Sequence, residues 1–495
     1  MCDAILAYRQ CAFPSSTRLS APQSELDFVD VDVARDTPLF IDPLAIRQLP
    51  DDWGHECVAY IQDFFATVLD AIRRGKNTQA RVLLRGLREP NETRLGLSSA
   101  RPRGRALGPE SARDVWNALA QSQAAQSGLL VDLEDTILLV RGIGPDIVSD
   151  IGTNLIRMPL IRYTQEMCDR YGIPMLDQVY SGPLWNPETK AWEEGGYVQL
   201  PIAGGRRLVL TPKAIVRRRM DYNAKEYYRD FIIPFLEQEE IKAGSSLVRV
   251  LKKRRVRYVT KKDLVAKYGA DKDAIVRITA QNPRLLQRYK QQKATTPTRP
   301  LDHADMVEVT GSEPPNWNKL LADVVSVPKS NEHADDYHDA IERLLSALFS
   351  NSLIMPRKET PLHAGRKRID ITYVNAGQRD FFDWVKSNYP AGHIIIECKN
   401  YTGDPANPEL DQLSGRFSPS RGMLGLLTCR TFKNKQLFLE RCRDTARDDR
   451  GFIIPLDDDD LALLTKYRGA GQIQAIYEFF MKRFRYLLDM GDRRR

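Results

Sequence analysis

The stretch HIIIECKNYT at 393–402 constrains this chain more than any other. Three consecutive isoleucines read as a buried strand, and two ionisable residues follow at once in Glu397-Cys398-Lys399. The two-residue period of a strand sends Glu397 and Lys399 to one face and Ile396 and Cys398 to the other. A carboxylate and an ammonium then share a site, while Cys398 packs and does not act as a nucleophile. Charge withdrawn from water without a partner is costly, so this pair must meet an ion or each other.

A second acidic strand precedes it. RKRIDITYVN at 366–375 reads as a strand carrying Asp370, and QRDFFDWVKSNYP between the two reads as a helical insertion. Upstream, HADDYHDAIERLLSALFS at 333–350 brings Tyr337, Ile341, Leu344, Leu345 and Leu348 to one face of an amphipathic helix, with acidic residues on the other. Downstream, ELDQLSGRF reads as a helix and GMLGLLTCR as a strand. Mg²⁺ demands oxygen ligands; carboxylates from adjacent strands and a backbone carbonyl, that of Cys398, leave positions for water and phosphate, and Mn²⁺ is the alternative ion. Such an ion polarises a scissile phosphate and generates hydroxide near neutral pH. Lys399 beside it orients or deprotonates the attacking water, or stabilises charge developing on the phosphate.

Asp370 followed by Glu397-Cys398-Lys399 on the next strand, within that order of helices and strands, resembles the PD-(D/E)XK, or restriction-endonuclease-like, nuclease superfamily. The resemblance covers approximately 330–460. It implies an α/β domain with a mixed central sheet flanked by helices, Asp370 and Glu397 as metal ligands, Lys399 as the catalytic lysine and Gln412 in support. An acidic residue on the first helix, common among members, points to Glu342, with Asp339 the other candidate and His338 adjacent. Ile369 stands where the family name has proline, and the insertion between Asp370 and Glu397 is longer than usual. The implied reaction is metal-dependent hydrolysis of DNA by an activated water, in a bacterial restriction or anti-phage setting. Three readings compete: an RNase of the same fold, a catalytically degenerate DNA-binding scaffold, and a structural salt-bridge cluster.

The other two thirds of the chain say less. A length of 495 residues exceeds what one core fills. The divisions read from texture are a mostly helical α+β domain over 1–178, a mixed strand and helix basic domain over 179–294, a Pro/Thr/Asp-rich linker over 295–325, and the α/β domain over 326–495. ELDFVDVDVARDTPLFIDPLAIRQL at 25–49 reads as a strand and loop, Cys57–Arg74, Asp114–Leu129 and Ile151–Tyr171 as helices, and LPIAGGRRLVLTP as a hairpin. The net charge of +8 and two basic stretches, 205–219 and 251–262, favour DNA as partner, with a second copy or a defence protein as further candidates.

RGIGPDIVSDIG at 141–152 has the Gly-x-Gly turn of a phosphate-holding helix-hairpin-helix, against a plain inter-helical turn. Glycines at 95–108 lack the Lys-Ser/Thr of a P-loop. Asp457–Asp460 reads as a solvated acidic loop. Seven dispersed cysteines without a CxxC pair argue against disulfides and structural zinc and for a reducing cytoplasm. No run approaches the ~20 apolar residues of a membrane span.

Overall fold

The computed structural model describes residues 22–96, 109–251, 256–296, 298–362, 367–377, 379–401, 403 and 405–488. Helix α1, Asp52–Arg73, realises the stripe expected from residue 57 onward, burying Ile61, Phe64, Phe65, Val68 and Leu69. Its N-terminus is fixed by Asp51, whose side chain accepts the Gly54 amide. The single helix expected over Ile151–Tyr171 is two: α2, Pro145–Leu155, and α3, Arg157–Tyr171. Pro159 explains the break, because its ring would collide with the carbonyl of residue 155 in a continuous helix.

The strand expected near residue 28 does not form. Leu26, Phe28, Val29 and Val31 are all buried, so the segment is wrapped by the protein and is not half-exposed as a surface strand would be. Phe28 makes one isolated bridge to Pro212, and pairing starts at Phe40–Ile41 against Val216–Arg217. The expected hairpin is present, pairing Ile202–Ala203 with Arg206–Arg207. Its two-residue turn uses Gly204 and Gly205 at φ of 58° and 73°, which a tight hairpin of this hand requires. Among the described residues from 224 to 295 the structure is mainly helical, with an exposed antiparallel strand pair, Arg249–Leu251 with Val256–Tyr258.

One apolar cluster runs from Leu26 to Met306, drawing on both of the regions separated at 178 in the sequence reading. The stretch 295–325, read as a linker, carries helices α4, His303–Thr310, and α5, Trp317–Val325. Met306 on α4 belongs to the first core, whereas Leu320 and Val324 on α5 belong to a second. The transition between cores therefore falls at 311–316, which has no regular structure.

The second core surrounds a five-stranded mixed sheet. In chain order it comprises α6 (Ala334–Leu348), β1 (Leu353–Leu362), β2 (Lys367–Asn375), α7 (Phe381–Asn388), β3 (His393–Lys399), α8 (Asn407–Ser414), β4 (Leu424–Cys429), α9 (Lys435–Arg447), β5 (Phe452–Leu456), α10 (Asp458–Gly469) and α11 (Ile473–Leu488). The sheet order is β1-β2-β3-β4-β5; the first two pairings are antiparallel, the last two parallel. Residues Ile394–Ile396 and Leu424–Leu427 are buried throughout, the uninterrupted apolar texture of strands covered on both faces. Ile354, Met355, Val374 and Ala376, at one end of β1 and β2, pack instead into the first core.

Asp457–Asp460 is not a solvated loop. Asp457 and Asp460 form a reciprocal cap at the start of α10 and both pair with Lys435, while Asp458 pairs with Arg430. Acids at a helix N-terminus are stabilised by its dipole, which is why a run of four is tolerated there.

Candidate active site

The register of β2 with β3 closes at Ile371 opposite Ile396. One residue further, the Asp370 carboxylate takes the place of a backbone acceptor: its Oδ2 receives the Cys398 N–H at 2.8 Å. Extending the register sets Asp370 across from Glu397. On the α6 side, His338 Nε2 lies 3.7 Å from the same Asp370 oxygen.

Glu397 has no solvent exposure. Lys399 Nζ donates to Glu397 Oε1 at 2.8 Å and to Gln412 Oε1 at 3.0 Å, so α8 and β3 are joined through this ammonium. The buried Arg416, just past α8, forms an ion pair with the other Glu397 oxygen. Burial pulls the Arg416 guanidinium below its usual pKa, and the nearby Asp370 charge opposes that. With two carboxylates and two cations the cluster is electrically balanced, the condition under which buried charge is tolerated.

A further node holds the surrounding loops. Asn400 Nδ2 donates to the carbonyls of Pro328, Ser330 and His333 at 2.9 to 3.0 Å. Arg430 donates to the carbonyls of Val325 and Val327 and to Asn400 Oδ1, and lies 5.3 Å from the Tyr337 ring centre. The segment before α6 is thereby tied to the ends of β3 and β4, which sets where α6 begins and hence where His338 falls.

Of the residues expected at the site, Glu397, Lys399 and Gln412 are in direct contact, and Asp370 adjoins them through Cys398. Glu342 is elsewhere engaged: buried, it is ion-paired with Arg170 of α3, and burial raises its pKa against the pull of that guanidinium. Asp339 pairs with Lys358. The α6 residue beside Asp370 is instead His338, one turn before Glu342. Among the described residues, His338, Asp370 and Cys398 form one set whose ligating atoms lie within 4.8 Å of one another. Burial pushes the Cys398 thiol well above its ordinary pKa, in keeping with packing and not nucleophilic chemistry.

The basic stretch 205–219 is largely internal. Arg217 is 2% exposed and donates to the carbonyls of Ala214 and Val216; Lys213 donates to that of Gln23; Arg218 pairs with Glu308. Arg206 and Arg219 are exposed. In the second stretch, Arg257, Lys261 and Lys262 are exposed, and residues 252–255 lie outside the described residues, as does most of the 95–108 glycine segment. The turn within 141–152 is occupied from inside: Lys272 Nζ donates to the carbonyls of Val140 at 2.6 Å and Ile143 at 2.8 Å.

A family described as a domain of unknown function, DUF8370, matches residues 18–223. No curated protein and no solved structure matches the chain. No helix among the described residues is long and apolar enough to cross a membrane.

Proposed function

We propose that the sheet domain is a restriction-endonuclease-like, metal-dependent nuclease that hydrolyses phosphodiester bonds in DNA without a covalent enzyme intermediate. The observation that carries this reading is the position of Lys399 Nζ, shared between the buried Glu397 and Gln412 beside a second carboxylate, Asp370. A purely structural ion pair in such a sheet is seldom better than apolar packing. The oxygen donors of Asp370 and Glu397 suit a hard divalent cation, Mg²⁺ or Mn²⁺, and are the residues to hold it. Bound there, the ion supplies Lewis-acid polarisation of the phosphate and a water of lowered pKa.

The chain's own groups do the rest. Gln412 and Glu397 aim the Lys399 ammonium, which orients the attacking water and offsets negative charge as it develops. The Cys398 amide fixes the rotation of Asp370. Arg416 neutralises Glu397 and would offset part of the phosphate charge brought beside it. The setting, restriction or antiviral defence in the cytoplasm, rests on the family resemblance alone.

Cleavage of supercoiled DNA, linear DNA and single-stranded RNA, each with Mg²⁺, Mn²⁺ or EDTA, tests the reading on wild type beside Glu397→Gln and Lys399→Ala. DNA cutting that needs the metal and is lost in both variants is the expected result. Cutting of RNA alone assigns an RNase. The engagement of both Glu397 oxygens by Lys399 and Arg416 favours a degenerate scaffold as the second reading, and a folded protein that cuts neither substrate establishes it.

A further inference from the structure

A cleft of about 280 Å³ lies between the two cores, and four cations line it: Lys213 and Arg217 from the first, Arg379 and Lys386 from the sheet domain. No described carboxylate forms an ion pair with any of them. Lys213 reaches the Gln23 carbonyl at 3.2 Å and Lys386 the Gly377 carbonyl at 3.2 Å. Arg217 donates only through one terminal nitrogen, to two backbone carbonyls, and its buried Nε has no partner.

The two acids lining the cleft are already committed. Asp302 caps α4 and pairs with Arg299, and Asp383 accepts the Arg379 amide. Asp42 and Asp221 act on Arg217 from behind, but Asp42 caps its own helix and Asp221 receives Thr298. Burial holds Lys213 down to about 8 and lowers Lys386 and Arg217, outweighing the opposing pull of Asp27 on Lys213, of Asp383 and Asp380 on Lys386, and of Asp42 and Asp221 on Arg217.

This cleft shares His303, Asn351, Arg379 and the acids Asp302 and Asp383 with a larger one of about 1210 Å³, whose walls carry Trp317, Trp384 and Tyr477 beside Glu308 and Asp380. The inner end is thus cationic and the outer end aromatic. We propose that the joined cleft binds a nucleoside phosphate, its phosphate among Lys213, Arg217, Arg379 and Lys386 and its base against the tryptophans. An inner volume near the low end of small-ligand pockets, roughly 300 Å³, admits a phosphate and sugar but no duplex. Cations from both cores would close on one anion, so occupancy fastens the region matched by DUF8370 to the sheet domain. The proposal is independent of the nuclease reading and stands if that fails.

Calorimetric titration of the full-length protein without metal is the test, using AMP, CMP, ribose 5-phosphate, inorganic phosphate and adenosine. Both nucleotides are expected to bind at one site per chain, ribose 5-phosphate and phosphate more weakly, and adenosine not at all. Arg379→Gln, at an exposed position, should weaken AMP by roughly tenfold or more while leaving the melting temperature unchanged, and Lys386→Gln, at a half-buried one, should weaken it by a similar factor. No binding of either nucleotide at millimolar concentration overturns the site, as does equal affinity in wild type and both variants. Ribose 5-phosphate binding as tightly as AMP overturns the role of the aromatic walls.

Discussion

Glu397 touches no solvent and answers to two cations whose removal should be felt differently. Lys399 is 15% exposed and leaves Glu397 still paired when truncated. Lys399→Ala is therefore expected to cost at least about a hundredfold in cleavage rate and less in urea unfolding than the loss of Arg416 does. Arg416→Ala leaves Glu397 paired only to the partly exposed Lys399 and one of its buried oxygens without a partner, and should cost about 3 kcal/mol in the same unfolding assay. The reverse pattern, a stable Arg416 variant beside a destabilised Lys399 variant, would show that the roles have been exchanged. Glu397 and Lys399 were readable because strand alternation is local and needs no knowledge of the rest of the chain. Arg416 was not, since nothing within a few residues of it marks it as a partner. Glu342 was misplaced for a similar reason: Arg170, which captures it, is remote in sequence and arrives only through the packing of α3 on the sheet domain.

Helices built from apolar stripes, α1 and α6 above all, appeared where the spacing put them, because their burial pattern is written in every third or fourth residue. Segments whose contacts are wholly tertiary did not, as the wrapped chain near Phe28 shows. Helix α4 illustrates what such contacts impose. His303, at its first position, bonds the Ala347 carbonyl at the end of α6 through Nε2 at 2.8 Å, and burial lowers its pKa from 6.5 to about 4. The folded state thus favours the neutral ring. Its contribution is complete above about 6.5 and is lost as pH falls toward about 4, reaching at most ~3 kcal/mol. Wild-type melting temperature should fall across that window, and His303→Gln should flatten the fall; parallel curves for the two proteins would remove His303 as the cause.

At the scale of the whole molecule, the two cores meet through apolar packing and specific polar contacts. Arg170 pairs with Glu342 and donates to the Pro356 carbonyl, and Asp27 accepts the Met355 amide. Breaking a buried pair of this kind is costly, so Arg170→Ala should lower stability by about 3 kcal/mol and loosen the docking of the two halves. A protease site inserted at 311–316, where the chain passes between cores, makes the point directly: the nicked halves should co-elute on size exclusion in wild type. Separation of the wild-type halves would show that the covalent connection, not the interface, holds them. The existence of more than one core was legible from length, and the join at 311–316 falls inside the Pro/Thr/Asp-rich stretch 295–325 that composition marked, but the two helices which that stretch holds, each anchored in a different core, were not legible because their anchoring contacts are tertiary.

Strand β1 is the outer member of its sheet, and its first residues, Ile354 and Met355, are buried in the neighbouring core. An outermost strand offers unpaired amides and carbonyls to any passing chain, the usual beginning of runaway self-association. Here the other half of the molecule stands guard over part of that border. A sheet domain produced without it would present both residues, together with Val374 and Ala376, to water. Such a fragment is expected to precipitate or form open-ended strings of copies, and a fragment that stayed monomeric would show that β1 needs no cover from the first core.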